Sequence, residues 1–117
     1  MNSVNLVARL TTEPVVRSTA GGTQVASLRL AVPRPRRDGE DQGADYVDVV
    51  VFGRQAETCA QYLTKGRKVA VNGRLAHSEW TAEDGTRRQR LEVIANTVEF
   101  LDRPANTDEP ELAQDAA

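Results

Sequence analysis

Residues 45–75 constrain the fold of this chain most, because a strand pattern, a helix pattern and a second strand pattern follow one another there. In residues 46–52, side chains alternate between two unlike faces of a predicted strand. The first face is Val47, Val49 and Val51, and the second is Tyr46, Asp48, Val50 and Phe52. The first face suits a buried core, whereas two aromatics beside an acid are more typical of a binding surface than of a purely structural one.

A short helix and a second strand are predicted after Gly53, which ends the first strand. From Gln55 to about Thr64, apolar residues recur at the spacing of one helix face. These residues are Ala56, Cys59, Ala60 and Leu63. Lys65 and Gly66 provide the signal that ends the helix. Residues 68–75 then alternate as a strand, and one of its faces consists of Val69, Val71, Gly73 and Leu75.

The other predicted strands lie on both sides of this segment. The first has an apolar face of Val4, Leu6, Ala8 and Leu10, and resumes at residues 15–18 after a break at Glu13-Pro14. A turn at residues 20–23 leads into a second strand over residues 24–32, where Val25 is out of phase and predicts a bulge near Ala26. Residues 76–86 are predicted to be a long hairpin connection around Trp80. The last strand runs from Arg87 to Phe100, with an irregularity before Val98.

Five strands with one helix between the third and the fourth is the element order of an OB-fold, an all-β, five-stranded barrel. A chain of 117 residues has the size of one domain, which we expect over residues 1–103. Residues 104–117 lack periodicity and are predicted to form a disordered acidic tail. All 15 basic residues lie at or before Arg103, together with 13 of the 17 acidic ones, so the body has a formal charge of +2 and the tail −4. This asymmetry is compatible with a nucleic-acid binder.

The sequence argues against an enzyme or a metalloprotein. Its one histidine, His77, and its one cysteine, Cys59, lack the spacing of metal ligands, and there is no Gly-rich phosphate loop. We therefore expect no catalytic residue, no metal and no cofactor. Cys59 is predicted to be a small core residue, with an intersubunit crosslink or a redox switch as the alternatives. Because there is no secretory signal pattern and no run long enough to span a membrane, we expect a cytoplasmic location and no membrane partner.

Three aromatic residues predict a binding surface. Tyr46 and Phe52 share the non-aliphatic face of the third strand, and Trp80 lies in a polar hairpin without an obvious core to fill. Stacking on an aromatic is worth roughly 1–3 kcal/mol per base and tolerates any base, so these residues would bind single strands without sequence preference. The structural alternatives are that Phe52 belongs to the core and that Trp80 caps the barrel or packs in a subunit contact.

Arginines accompany these aromatics in the loops and on the faces where an OB-fold presents its groove. Those predicted to contact nucleic acid are Arg34, Arg36, Arg37, Arg54, Arg74 and Arg88, and Arg87 and Arg90 lie in the same basic run as Arg88 after the Trp80 hairpin. Guanidinium groups pair with phosphates and also stack on bases, which favours a nucleic-acid ligand. For any single arginine, a solvated charged surface is the alternative.

Ordered sequence blocks at compatible spacing run through the whole predicted domain. They are Glu13-Pro14-Val15-Val16-Arg17, Gly21-Gly22, Val49-Val50-Val51-Phe52-Gly53-Arg54, Ala56-Glu57, Tyr62-Leu63, Lys65-Gly66, Val69, Asn72-Gly73-Arg74-Leu75 and Trp80-Thr81. With these blocks the chain resembles bacterial single-stranded DNA-binding protein over about residues 3–102. The resemblance implies an OB-fold that forms a homotetramer in the bacterial cytoplasm, associated with the nucleoid, and wraps single-stranded DNA in replication, recombination and repair. It also implies that Tyr46, Phe52 and Trp80 are the stacking aromatics.

Some positions depart from the family pattern. Tyr46 stands where the family often has a tryptophan, Arg36 replaces a further stacking tryptophan, and His77-Ser78-Glu79 is less basic than usual. The tail stops at Gln114-Asp115-Ala116-Ala117, without the acidic tip that ends in an aromatic residue. We therefore expect a specialised paralogue without tip-dependent recruitment of replication and repair enzymes. The alternative function is an OB-fold adaptor module that binds protein partners and has little affinity for oligonucleotides.

Overall fold

The computed structural model describes residues 1–101, which form one six-stranded sheet and one helix. The strands are β1 (Val4–Leu10), β2 (Val15–Ser18), β3 (Gln24–Pro33), β4 (Ala44–Phe52), β5 (Lys68–Thr81) and β6 (Arg87–Phe100), and the helix α1 (Arg54–Tyr62) lies between β4 and β5. With nine residues, α1 is too short to cross a membrane. The predicted boundary of the domain and the predicted acidic tail lie outside the described residues.

Five of the strands close into a ring. The strand order is β1-β5-β6-β4-β3-β2, and β1 also pairs with β3 through Arg9↔Ala31 and Leu10↔Leu30. Neighbouring strands are antiparallel except for β4 and β6, which run parallel. Because β1 and β2 both pair with β3, they are the two halves of the predicted first strand, separated at the predicted break. The OB-fold predicted from the element order is therefore confirmed.

The alternation of side chains predicted for β4 is also observed. Val49 and Val51 are fully buried and Val47 packs against the core from its edge, whereas Tyr46 and Phe52 are exposed. The inward residues of β1 and β3 complete the same core, which α1 closes at one end. The largest fully buried side chains include Leu28, Leu30, Leu63 and Val69.

The helix faces the barrel at a slightly different angle than predicted. Ala56 and Cys59 are buried, and so is Leu63, which follows the helix as its C-cap, but Ala60 is exposed, so its assignment to the buried stripe was wrong. Gln55, by contrast, reaches β6: its Nε2 donates to the Asn96 carbonyl at 2.7 Å, and its Oε1 accepts from the Val98 amide at 3.0 Å. The buried side of α1 therefore includes Gln55 and excludes Ala60.

The bulge predicted near Ala26 is wrong. β3 pairs with β4 without interruption from Val25↔Phe52 to Pro33↔Ala44. Val25 is buried although it lies on the outer face, where its neighbours across the ladder are Phe52 and Arg17. Val25 and Ala26 are therefore both buried, one on each face of β3. Two adjacent apolar residues of this kind look like a bulge in the sequence.

The irregularity predicted before Val98 is confirmed. Gly73 pairs with Ala95 and Asn72 with Thr97, so Asn96 is the additional residue of a bulge in the β5–β6 ladder. Gln55 satisfies two backbone groups at this bulge, donating to the Asn96 carbonyl and accepting from the Val98 amide. The helix is thereby hydrogen-bonded to β6 at the bulge.

The predicted connection around Trp80 is itself paired strand. β5 continues to Thr81 and pairs with β6 down to Arg87, which leaves only residues 82–86 as the turn. After Gly73 in β5 and before Val93 in β6, the two strands pair only with each other among the described residues. We call residues 76–92, in which these two strands pair only with each other and are joined by the turn, the arm. Because the arm is a two-stranded ladder, its side chains alternate between two faces.

The prediction that Cys59 is a core residue is confirmed. Its side chain is buried under the barrel, and burial raises the pKa of the thiol to about 12. The thiol is therefore protonated and shielded in the folded chain at neutral pH, because desolvation disfavours the thiolate.

Candidate nucleic-acid interface

One face of the barrel carries both aromatics of β4. Tyr46, Asp48, Val50 and Phe52 point outward because they alternate with the core valines, and Tyr46 is 60% and Phe52 46% exposed. By comparison, Phe100 on the core side is 6% exposed. The alternative that Phe52 belongs to the core is therefore wrong. Phe52 follows Tyr46 by six positions in the strand, which places the two rings about 20 Å apart along β4.

The arm continues this outer face. Arg74 pairs with Ile94, and Ile94 is also the register partner of Val50. Alternation from Arg74 along β5 places Ser78 and Trp80 on the same face, and alternation from Ile94 along β6 does the same for Arg90 and Arg88. Trp80 is 47% exposed and lies opposite Arg88 in the ladder. The arm thus presents an indole with a guanidinium group directly across from it.

An ion-pair cluster joins the arm to the barrel at the middle of this face. Nη1 of Arg29 in β3 donates to Oδ1 of Asp48 at 3.0 Å, and Nη2 of Arg90 in the arm lies 3.6 Å from Oδ2. Arg90 also approaches Glu92, with Nε 3.7 Å from Oε2. Asp48 therefore holds one arginine from each of the two strands that flank β4.

Arg29 also supports the aromatic next to Asp48. Its guanidinium carbon lies 5.3 Å from the centroid of the Tyr46 ring, within the range of a cation–π contact. Arg29 thus contacts both Asp48 and the Tyr46 ring, while the Tyr46 side chain remains 60% exposed.

The sequence matches a known protein family. Residues 1–101 match the model of the single-strand binding protein family. The chain belongs to this family.

Its relatives include a single-stranded DNA-binding protein 3 of Clostridium acetobutylicum, which is 45% identical over 103 residues, covering 87% of this chain and 72% of the relative. A single-stranded DNA-binding protein of Clostridium perfringens is 44% identical over 103 residues, covering 87% and 67% of the two chains. One from Thermotoga maritima is 43% identical over 110 residues, covering 91% and 78%.

In this member of the single-strand binding protein family, five of the predicted site residues share the outer face. They are Tyr46, Phe52, Arg74, Trp80 and Arg88. The remaining four lie at the two ends of β4. Arg34, Arg36 and Arg37 belong to the loop before it and line a cleft of about 330 Å³, while Arg54 is the first residue of α1 and follows Gly53. Within the loop, Arg34 is paired with Asp45, with Nε and Nη2 both 2.8 Å from Oδ1.

The basic run that follows the arm's turn is divided by strand alternation. Arg88 and Arg90 lie on the face of Trp80, whereas Arg87 lies on the other face and pairs with Glu79 at 3.1 Å. The other face of the arm also holds Leu91 and His77, whose Nε2 is 2.9 Å from Oε1 of Gln89. Only one face of the arm therefore combines exposed aromatic and cationic groups.

Sequence reasoning missed several members of this face. Arg29 was not among the predicted contacts, although it lies beside Tyr46 and Asp48, and Arg90 was predicted only as part of the basic run after the hairpin. Arg9 and Lys68 line a groove of about 480 Å³ that begins at Tyr46. The signal available for Arg29 was its outward position in β3, but its pairing with Asp48 depends on the β3–β4 register, which no local pattern specifies.

Proposed function

We propose that this chain binds single-stranded DNA without sequence preference, and so protects or organises single strands in replication, recombination and repair. The observation that carries the proposal is the outer face, on which Tyr46, Phe52 and Trp80 are each about half exposed and lie among arginines. The relatives named above are single-stranded DNA-binding proteins, which supports the same ligand. We further propose that the protein acts in the bacterial cytoplasm and catalyses no reaction.

The chemistry of the outer face suits a single strand better than a duplex or a peptide. Exposed rings accept unstacked bases, which a duplex does not offer, at roughly 1–3 kcal/mol per base. The predicted contacts Arg34, Arg36, Arg37, Arg54, Arg74 and Arg88 would bind phosphates, and their spread along β4 and the arm allows a strand to follow the face. Phosphate contacts carry no sequence information, and stacking tolerates every base, so the proposed binding is indifferent to sequence.

Titration with oligo(dT) tests this proposal. Because Trp80 is the only tryptophan, its fluorescence reports on the arm alone, and stacking of a base should quench it. We expect the logarithm of the association constant to fall linearly with the logarithm of the salt concentration, with a slope of about −0.7 for each phosphate contact. Unchanged fluorescence and no retention of oligo(dT) at low salt would contradict the proposal and favour a protein-binding adaptor instead. The same titration with an RNA oligomer measures any preference between the two nucleic acids.

We also propose that the chain forms a homotetramer. The N-terminal half of β1 supports this, because among the described residues it pairs with β5 on one side and has no strand on the other up to Ala8. Val7 is exposed beside this edge, next to a groove of about 360 Å³ lined by Asn5, Ala70 and Asn72. An unpaired strand edge beside apolar surface is a template for pairing with another chain.

Mass measurement in solution tests the assembly. We expect about 51 kDa, four times the 12.8 kDa of one chain, both with a reducing agent and with an oxidant. Oxidation should not change the mass because Cys59 is buried within its own barrel and its thiol stays protonated. A mass of one chain would contradict the tetramer, and a covalent dimer under oxidation would contradict the burial of Cys59.

A further inference from the structure

We propose that Asp48 is an internal counter-ion that limits the affinity of the outer face, because it occupies the place of a nucleotide phosphate between Arg29 and Arg90. This inference rests on the proposed binding of single-stranded DNA. It assigns a role to the one acid that lies between the two exposed aromatics of β4.

The geometry of the cluster is that of an anion bound by two guanidinium groups. Each carboxylate oxygen of Asp48 faces a different arginine, Oδ1 toward Arg29 at 3.0 Å and Oδ2 toward Arg90 at 3.6 Å. A phosphate diester likewise offers two oxygens to flanking guanidinium groups. Asp48 therefore fills a site that would otherwise attract the backbone of a strand stacked on Tyr46 and Phe52.

The charges of the cluster cancel. Glu92 also approaches Arg90, so that two carboxylates accompany two guanidinium groups at the centre of the face. All four side chains are partly exposed, with Asp48 at 31% and Arg29 at 49%, and ion pairs of this kind contribute little to folding. Exchanging the carboxylate for a phosphate therefore requires no buried charge to be uncovered.

The tethered carboxylate also changes how binding depends on salt. Free arginines release condensed counterions from DNA when they bind phosphates, and this release produces the salt dependence. Arg29 and Arg90 already have a counter-ion that cannot diffuse away. In the wild-type protein they should thus contribute little to affinity or to the salt slope.

Asp48→Asn tests the inference, because it keeps the shape of the side chain and an acceptor oxygen for Arg29 while removing the charge. We expect affinity for oligo(dT) to rise about tenfold at low salt, and the salt slope to become steeper by about 0.7 to 1.4 through one or two additional phosphate contacts. The matched control is Glu57→Gln on the exposed side of α1, which makes the same change in net charge outside the ion-pair cluster. The control should leave the slope unchanged.

Arg90→Gln is also made, both in the wild-type protein and in Asp48→Asn. It should lower affinity by at most about twofold in the wild-type protein and by about tenfold in Asp48→Asn, where Arg90 is available to phosphate. Equal affinity of Asp48→Asn and Glu57→Gln would overturn the inference, and so would weaker binding by Asp48→Asn, which would show that the carboxylate supports the arginines. An effect limited to cytosine or guanine oligomers would also overturn it by indicating a base contact.

The experiment distinguishes a failure of the proposed DNA binding from a failure of the proposed role of Asp48. If the wild-type protein does not bind oligo(dT), the proposed function is wrong and the inference with it. If the wild-type protein binds while Asp48→Asn keeps the same affinity and slope, only the role of Asp48 is wrong. Melting curves of the variants show whether each has retained the fold.

Discussion

Replacing Trp80 by alanine should weaken binding of oligo(dT) by roughly 5- to 150-fold, which corresponds to the loss of one stacked base at about 1–3 kcal/mol. The indole is about half exposed and lies in the arm, where β5 and β6 have no other strand neighbour among the described residues. Its removal therefore opens no cavity in the barrel core. We expect the melting temperature to be nearly unchanged while affinity falls, as measured by the anisotropy of labelled DNA.

The arm itself provides a matched control for this variant. Leu91 is 58% exposed and lies on the opposite face of the same two-stranded ladder, across from His77. Leu91→Ala removes exposed apolar surface without removing a stacking ring from the outer face, so its affinity should stay within about twofold of wild type. An equal loss in both variants would indicate that the arm acts through its overall shape. A lowered melting temperature for Trp80→Ala would indicate packing instead of stacking.

The parts of the structure that could be predicted are those that depend on local alternation. Val47, Val49 and Val51 are inward because β-branched residues occupy every second position of β4, and the same period places Tyr46 and Phe52 outward. Turn residues such as Gly85, which has φ +83°, mark the ends of strands wherever a left-handed backbone is needed. The order of the elements then predicted the barrel, because a chain of short strands with a single helix has few ways to form a closed sheet.

The features that could not be predicted depend on contacts between distant segments. Val25 and Ala26 are both buried because one faces the core and the other is covered by neighbours on the outer face, and an apolar pair in sequence cannot distinguish this from a bulge. Ala60 is exposed, whereas Gln55 in the same helix is hydrogen-bonded to the bulge at Asn96. Local periodicity carries no information about either contact.

The ion-pair cluster shows the same limit within the candidate site. Asp48 was recognisable as an unusual acid between two aromatics, but its partners come from β3 and from the arm. The run of arginines after the turn could be read only as a group until the ladder register placed Arg87 and Arg90 on opposite faces. The residue types thus indicated a nucleic-acid ligand, whereas the strand register determines which charged side chains lie on the outer face.

Gly73→Ala should destabilise the barrel by about 3 kcal/mol, the upper part of the range for overpacking, and lower the melting temperature by roughly 10–20 °C. A β-carbon at this position would lie against the Ile94 carbonyl oxygen and 3.0 Å from the Ala95 Cα. Both are backbone atoms of the neighbouring strand and cannot rotate away as a flexible side chain would. Glycine is required here for close approach of the strands at the bulge.

Gly21→Ala is the matched control, because Gly21 lies in a turn where a β-carbon would approach nothing closer than the Thr19 Oγ1 at 4.0 Å. Its melting temperature should change by no more than a few degrees. Gly73 is also the point at which β5 leaves its pairing with β1 and continues into the arm. A shift of the backbone there would move Trp80 in the arm away from the β4 aromatics. Any Gly73→Ala protein that folds should therefore bind oligo(dT) more weakly, whereas unchanged stability and affinity would contradict the close approach of β5 and β6.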